Sequence, residues 1–286
     1  MKPFVIYTYD YIVNSGGIKV MHKLCDLLNK NGFESYLTPV GFDKGYYKIS
    51  SDDEFEFKTC PDYYTPLAPQ ELLNNINQAI VIYPERIRFN PLNAKNVVRW
   101  MLGRPSGDTE TYGPSDLIYW YMDFLYWDGL GHKENVLEVR EFHEDVFINK
   151  GLERKGSCFT IRKGISTNVH PPDSIEIGWS ITNDLEQTSN VFNTTERFYS
   201  YDTFTFLSFQ AVMCGCLSIV IPSFDVSKEN WLNGSRFHKY GIAWGEDDIP
   251  RAIETAPLIF EEIRQAKLEM NEKVIKFAEN CQNYFK

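Results

Sequence analysis

Arg162-Lys163-Gly164 places two cations and a glycine at the end of a segment, Ser157 to Arg162, that reads as a strand. That combination suits a diphosphate. Guanidinium and ammonium groups give charge-assisted hydrogen bonds to phosphate oxygens, and glycine lets the ligand come close to the backbone. Neighbours on an extended strand point to opposite faces unless the chain turns, so Arg162 takes precedence, with Lys163 beside it. Asp202 and Thr203 offer side-chain oxygens to the free N–H groups of a helix start. Such a start near Thr203 would add its N–H groups and dipole to a bound phosphate. Gly16-Gly17 follows a first strand and can also approach a ligand, although the G-x-G-x-x-G dinucleotide fingerprint is absent. Glu85, Arg104 and Ser106 sit where later strands end, and ligands of α/β sheets gather at such ends.

Other reactive residues read as less committed. Ser51-Asp52-Asp53-Glu54 resembles an Asp-x-Asp metal site but lacks a following strand and reads as a solvated turn. His170, before Pro171-Pro172, is a candidate base for an inverting reaction and reads more simply as a loop histidine. None of the five histidines has an evident Ser or Cys partner for a triad. The six cysteines include no Cys-x-x-Cys pair, which argues against zinc and thioredoxin-like chemistry and for reduced thiols in a cytosolic protein.

The elements that must position these groups alternate between strand and helix. Residues 4–9, 33–40, 79–83, 97–102 and 117–121 read as strands, with a helix from Ile18 to Asn31 closed by Gly32 and a short one over 69–78. A second unit begins near residue 149, with strands at 157–162, 174–177, 198–201, 217–221 and 240–245. Between the last three, apolar positions at Phe206, Leu207, Phe209, Ala211, Val212 and Met213 give a helix that Gly215 ends. Ser227 to Asn233 is another helix, and Asp248 is a cap for one from Ile249. A long charged helix carrying Ile259, Ile263, Ala266, Met270, Val274 and Phe277 closes the chain. The expected fold class is therefore α/β and doubly wound.

The segment from Tyr199 to Pro222 resembles the donor-site segment of retaining glycosyltransferases of GT-B architecture, closest to glycosyltransferase family 4. Asp202 fills the family's first acidic position. Gln210-Ala211 fills its Glu-Ala position, with an amide where the family usually has a carboxylate, and Cys214-Gly215-Cys216 is its small-residue turn. The resemblance implies two Rossmann-like domains facing each other across a cleft. Residues 1–148 would form the acceptor side, 149–265 the nucleotide-sugar side, and 266–286 a helix returning to the first domain. It implies a sugar transfer from a nucleotide-diphosphate sugar to a glycan, glycolipid or protein-linked acceptor in polysaccharide or glycan synthesis, with retention and without a metal or other cofactor. Asp202, Arg162 and Lys163 would be catalytic. Gly16, Gly17, Arg162, Lys163, Asp202, Thr203, Phe204 and Gln210 would contact the nucleotide sugar, with Glu85 and Arg104 on the acceptor or cleft side. A nucleotide-sugar epimerase of the same architecture and a non-catalytic nucleotide-sugar-binding subunit are the competing readings.

Composition narrows the partners. The 286 residues are 43% hydrophobic, enough for a sizeable core, and 15% aromatic, with Tyr and Trp clustered over 112–127 as they often are around sugars. The net charge of −10 argues against nucleic acid as a partner and against broad contact with anionic lipid. No run of about 18 apolar residues is present, so no transmembrane segment is expected. The N-terminus reads as a strand rather than a signal peptide. A cytoplasmic protein, at most peripheral at a membrane face, is the expectation.

Overall fold

The computed structural model describes residues 1–13, 15–41, 57–105, 109–162, 164–165 and 167–286. Lys163, Ser106 and the Ser51–Glu54 turn lie outside the described residues. The chain divides into two compact units: Met1–Glu141 with Lys267–Lys286, and Phe142–Ala266.

The first unit is built on β1 (Phe4–Thr8), β2 (Ser35–Pro39), β3 (Ile80–Pro84), β4 (Asn96–Met101) and β5 (Leu117–Trp120), all parallel, in the order β2-β1-β3-β4-β5. β1 is buried along its whole length, as expected of an apolar run covered on both faces. After it comes α1 (Gly16–Lys30), whose Val20, Met21, Leu24, Cys25, Leu27 and Leu28 form one buried stripe. Gly32, at φ +79°, turns the chain out of the helix. α2 (Gln70–Asn74) is a short surface helix. The last helix, α8 (Ile259–Tyr284), adds Met270, Val274, Phe277, Ala278, Cys281 and the following Phe285 to this core. Phe277 lies 6.0 Å from Phe4 and 4.7 Å from Tyr119 between ring centroids, and Gln282 accepts from Lys2 N–H and donates to its carbonyl.

The second unit repeats the plan. It holds β6 (Ser157–Thr160), β7 (Ile175–Glu176), β8 (Arg197–Ser200), β9 (Leu217–Val220) and β10 (Ile242–Trp244), all parallel, in the order β10-β9-β8-β6-β7. Read from the other edge this is the connectivity of the first sheet. In each, the chain steps outward once and then reverses past its first strand. The reversal falls between β1 and β3 in one unit and between β6 and β8 in the other. The helices are α3 (Trp179–Thr182), α4 (Leu185–Thr194), α5 (Leu207–Met213), α6 (Lys228–Gly234) and α7 (Ile249–Thr255). Asp184 caps α4 by accepting from Gln187 N–H at 3.0 Å, and Ser227 caps α6 by accepting from Asn230 N–H at 3.2 Å. Cys158, Phe192, Phe198, Phe209, Trp231 and Phe237 make the heart of the core.

Three local expectations change. Gly16 and Gly17 are the first residues of α1 rather than loop residues. The helix after Asp202 begins at Leu207, four residues later than the start near Thr203 that the cap reading of Asp202 and Thr203 gives. Asp248 occupies the position before α7 but makes no cap bond. Its carboxylate accepts instead from Arg251, Lys228 and Trp244 N–H. Burial pushes the Asp248 carboxyl up, and those three donors outweigh it and hold it at about 2. All six cysteines are buried and free. No helix of the described residues is long and apolar enough to cross a membrane.

Candidate functional site at a strand reversal

A parallel sheet opens a crevice at the carboxyl ends of two strands whose connections leave in opposite directions. In the second unit those strands are β6 and β8. Their last paired residues are Thr160 and Ser200, and Tyr201 N–H still reaches the Thr160 carbonyl at 2.9 Å. Arg162 and Asp202 each lie two residues beyond that pair. The topology thus brings a cation and a carboxylate to one level on adjacent strands.

Each loop is pinned by its own contacts. Arg162 has φ +42°, a left-handed conformation that costs a non-glycine residue about 1–2 kcal/mol. The chain therefore does turn at this point. Gly164 presses on the neighbouring loop: a Cβ there would sit 1.8 Å from the Tyr201 carbonyl oxygen, so no other residue fits. The guanidinium of Arg162 lies over the Trp179 ring, 5.0 Å from its centroid. Asp202 accepts from Phe204 N–H at 3.3 Å, a local turn rather than a helix cap. Ser200 Oγ donates to the Asp202 carbonyl at 2.8 Å, and the indole N–H of buried Trp231 donates to the Thr203 carbonyl at 2.9 Å. Among the described residues neither Arg162 nor Asp202 has an ion-pair partner.

The same crevice holds residues that the sequence reading passed over. Tyr201 is buried, and its hydroxyl accepts from the N–H groups of Val169 at 2.8 Å and His170 at 3.3 Å. The same hydroxyl is hydrogen-bonded to His170 Nδ1 at 2.8 Å. Phe159 stacks on that imidazole at 3.7 Å. His170 is thus built into the fold rather than solvated. Trp179 opens α3, three residues past the end of β7, and is 66% exposed.

The remaining predicted residues are dispersed. Thr203 Oγ1 bonds Ser223 Oγ at 3.4 Å, and Phe204 is 49% exposed with its ring edge against Gly234. Gln210 lies within α5 and is 97% buried. The late start of α5 means that no helix N-terminus lies at Thr203, and that source of phosphate binding is withdrawn. In the first unit, Gly16 and Gly17 open α1 after β1, and Glu85 follows β3, so these three flank the other strand reversal. Nothing lies within 4 Å of a Cβ built on Gly16, and its φ is not left-handed. The fold therefore does not require glycine there. Glu85 accepts from Leu102 N–H at 3.2 Å, and burial pushes its carboxyl above the usual value. Arg104, after β4, is exposed. Among the described residues no group of three His, Cys, Asp or Glu side chains is placed to hold a metal ion.

No protein-family model matches the chain, and no curated protein matches its sequence. Similar solved structures include an alpha-glucosyltransferase in complex with UDP and a 13-mer DNA containing a HMU base, 14% identical with a TM-score of 0.42. Another is an alpha-glucosyltransferase (AGT) in complex with UDP, 13% identical with a TM-score of 0.40. Each match covers 96% of this chain and 94% of the other. The expectation that nucleic acid is no partner is corrected here, because the first of these structures holds a 13-mer DNA, as does a third, an alpha-glucosyltransferase in complex with UDP and a 13-mer DNA containing a central A:G mismatch, 14% identical with a TM-score of 0.39. The physical reason is that a net charge of −10 is a sum over the whole chain. Such a sum says nothing of local charge, which is what decides phosphate contact.

Proposed function

We propose that this protein is a GT-B-type glycosyltransferase that moves a sugar from a nucleotide-diphosphate sugar to a hydroxyl-bearing acceptor, with retention and without a metal. One observation carries the reading. Arg162 and Asp202, both free of ion-pair partners among the described residues, stand at the same level at the strand reversal of the second unit. A departing diphosphate needs a fixed cation, and an oxocarbenium-like sugar carbon needs a carboxylate. In the proposed step the bond from the anomeric carbon to the phosphate oxygen breaks, and its electron pair leaves with the diphosphate. Arg162 takes up that charge, with Lys163 beside it. The acceptor oxygen bonds to the anomeric carbon on the same face, and its proton passes to the departing phosphate oxygen. Asp202 steadies the positive charge or holds sugar hydroxyls. Such preorganised donors supply about 3–4 kcal/mol each. Thr203, Phe204 and Gln210 complete the donor side, and Gly16, Gly17, Glu85 and Arg104 belong to the other unit's strand ends.

The test is release of nucleoside diphosphate from a panel of nucleotide sugars, with oligosaccharides, lipid-linked sugars and duplex DNA as acceptors. We expect acceptor-dependent release that survives EDTA and falls at least about 100-fold in Asp202→Asn, where the amide oxygen still accepts from Phe204 N–H. Donor binding without release from any acceptor would favour the non-catalytic subunit. A changed sugar stereocentre in the recovered donor would favour the epimerase. Release abolished by EDTA would remove the metal-free clause.

A further inference from the structure

We infer that Trp179 is the stacking platform for the nucleobase of the donor nucleotide, an inference that rests on the donor-site reading above. Trp100, Trp120 and Trp231 are fully buried, and Trp127, in the first unit, is 48% exposed. Trp179 is 66% exposed. It begins a four-residue helix whose Ile181 packs on the core while the indole does not. Nothing in the packing of the second unit calls for a large ring there. Leaving it in water is unfavourable unless something planar or apolar covers it.

Its neighbour shows what would cover it. The Arg162 guanidinium lies over the indole at 5.0 Å from the ring centroid. It is itself exposed and has no carboxylate partner among the described residues. Arg162 is held in its left-handed conformation by a turn in which the Ile161 carbonyl accepts from Gly164 N–H at 2.7 Å. A cation over one face of an exposed indole is a two-part receptor. The guanidinium meets an anion, and the open face of the indole takes a flat π-system. A nucleoside diphosphate carries both groups. β6 and β7 are paired neighbours, Cys158 with Ile175 and Phe159 with Glu176, so the two parts sit at adjacent strand ends. Base on Trp179 and diphosphate at Arg162 lays the nucleotide along the carboxyl edge of the sheet, leading toward Asp202. Stacking is tolerant of base identity, so this platform adds affinity for a nucleotide without choosing its base.

The experiment is calorimetric binding of UDP, ADP, GDP, CDP, dTDP and inorganic pyrophosphate to the wild-type chain, Trp179→Ala and Trp179→Phe. Circular dichroism confirms that each variant is folded. For every nucleotide that binds, we expect about ten-fold or greater weakening in Trp179→Ala and little change in Trp179→Phe. Pyrophosphate should bind all three alike. Bound nucleotide should also quench wild-type tryptophan emission and leave that of Trp179→Phe nearly unchanged. Nucleotide affinity unchanged in Trp179→Ala would overturn the platform and leave the donor site standing. Equal weakening of nucleotide and pyrophosphate would reduce Trp179 to a prop for Arg162 and overturn the base contact. If the wild-type chain binds none of these nucleotides, the donor-site reading falls and the platform with it.

Discussion

The two units share one strand order and use it in opposite ways. In the first unit, exposed Arg104 apart, charge on and beside the strands is consumed by the fold. Arg99, in the middle of β4 and fully buried, donates to Asp116 at 2.7 Å, to the Ile87 carbonyl at 2.7 Å and to the Phe89 carbonyl. Tyr83 and Tyr112 hold its guanidinium between them, each 4.8 Å from a ring centroid. Glu85 is tied to Leu102, and Lys23 bridges Glu141 and Asp26. At the strand ends of the second unit, Arg162 lies on an exposed indole and Asp202 accepts from one neighbouring N–H. The lesson is that identical connectivity does not equalise strand ends as sites. What marks a site is charge that the surrounding chain has fixed in place and left unpaired.

That contrast can be broken at its strongest point first. Arg99→Met removes a buried cation and leaves the Asp116 carboxylate and two carbonyls without their donor. The expected loss of stability is about 3–5 kcal/mol, read by urea unfolding. A loss below about 1 kcal/mol would mean that the first unit's charge is not structural. Arg162→Ala is the counterpart. Stability should stay within about 0.5 kcal/mol, as for an exposed side chain, while turnover falls about 100- to 1,000-fold.

Two glycines sharpen the comparison at smaller cost. Gly164→Ala drives a Cβ into the Tyr201 carbonyl and should destabilise the second unit by about 1–3 kcal/mol. Gly16→Ala meets open space at the start of α1 and should stabilise the chain by about 0.5–1 kcal/mol. If Gly16 faces the ligand, turnover falls in that more stable variant. The last contrast is in pH. The folded Asp248 carboxyl titrates at about 2 against an ordinary 3.8. Its contribution is therefore complete above pH 3.8 and is lost as pH falls through about 2. In Asp248→Asn, melting temperatures should be lower at pH 5 and should lose that acid-side slope.

Much of this was legible in the sequence because it follows from periodicity and punctuation. Continuous apolar runs gave the strands, the stripe from Val20 to Leu28 gave α1, and Gly32 and Gly215 marked helix ends. That Asp202 and Arg162 follow strand ends was legible too. Strand order was not, because it is set by tertiary pairing, and with it the two reversals stayed hidden. The start of α5 was misplaced because Asp202 and Thr203 resemble caps. Asp202 instead makes a local turn with Phe204, and Thr203 is held through its carbonyl by Trp231. Arg99 passed as a strand residue because nothing local shows that Asp116 and two distant carbonyls will meet it. Trp179 was missed because an exposed aromatic looks like a buried one until packing is known.

The most direct test is hydrogen–deuterium exchange of the wild-type chain with and without UDP, ADP, GDP, CDP or dTDP. For any nucleotide that binds, the strongest protection should fall on peptides covering 160–165, 177–182 and 199–206. Protection confined to the first unit's strand ends, around 9–17 and 85–87, or no protection with any nucleotide, would contradict the placement of the donor site at Arg162 and Asp202.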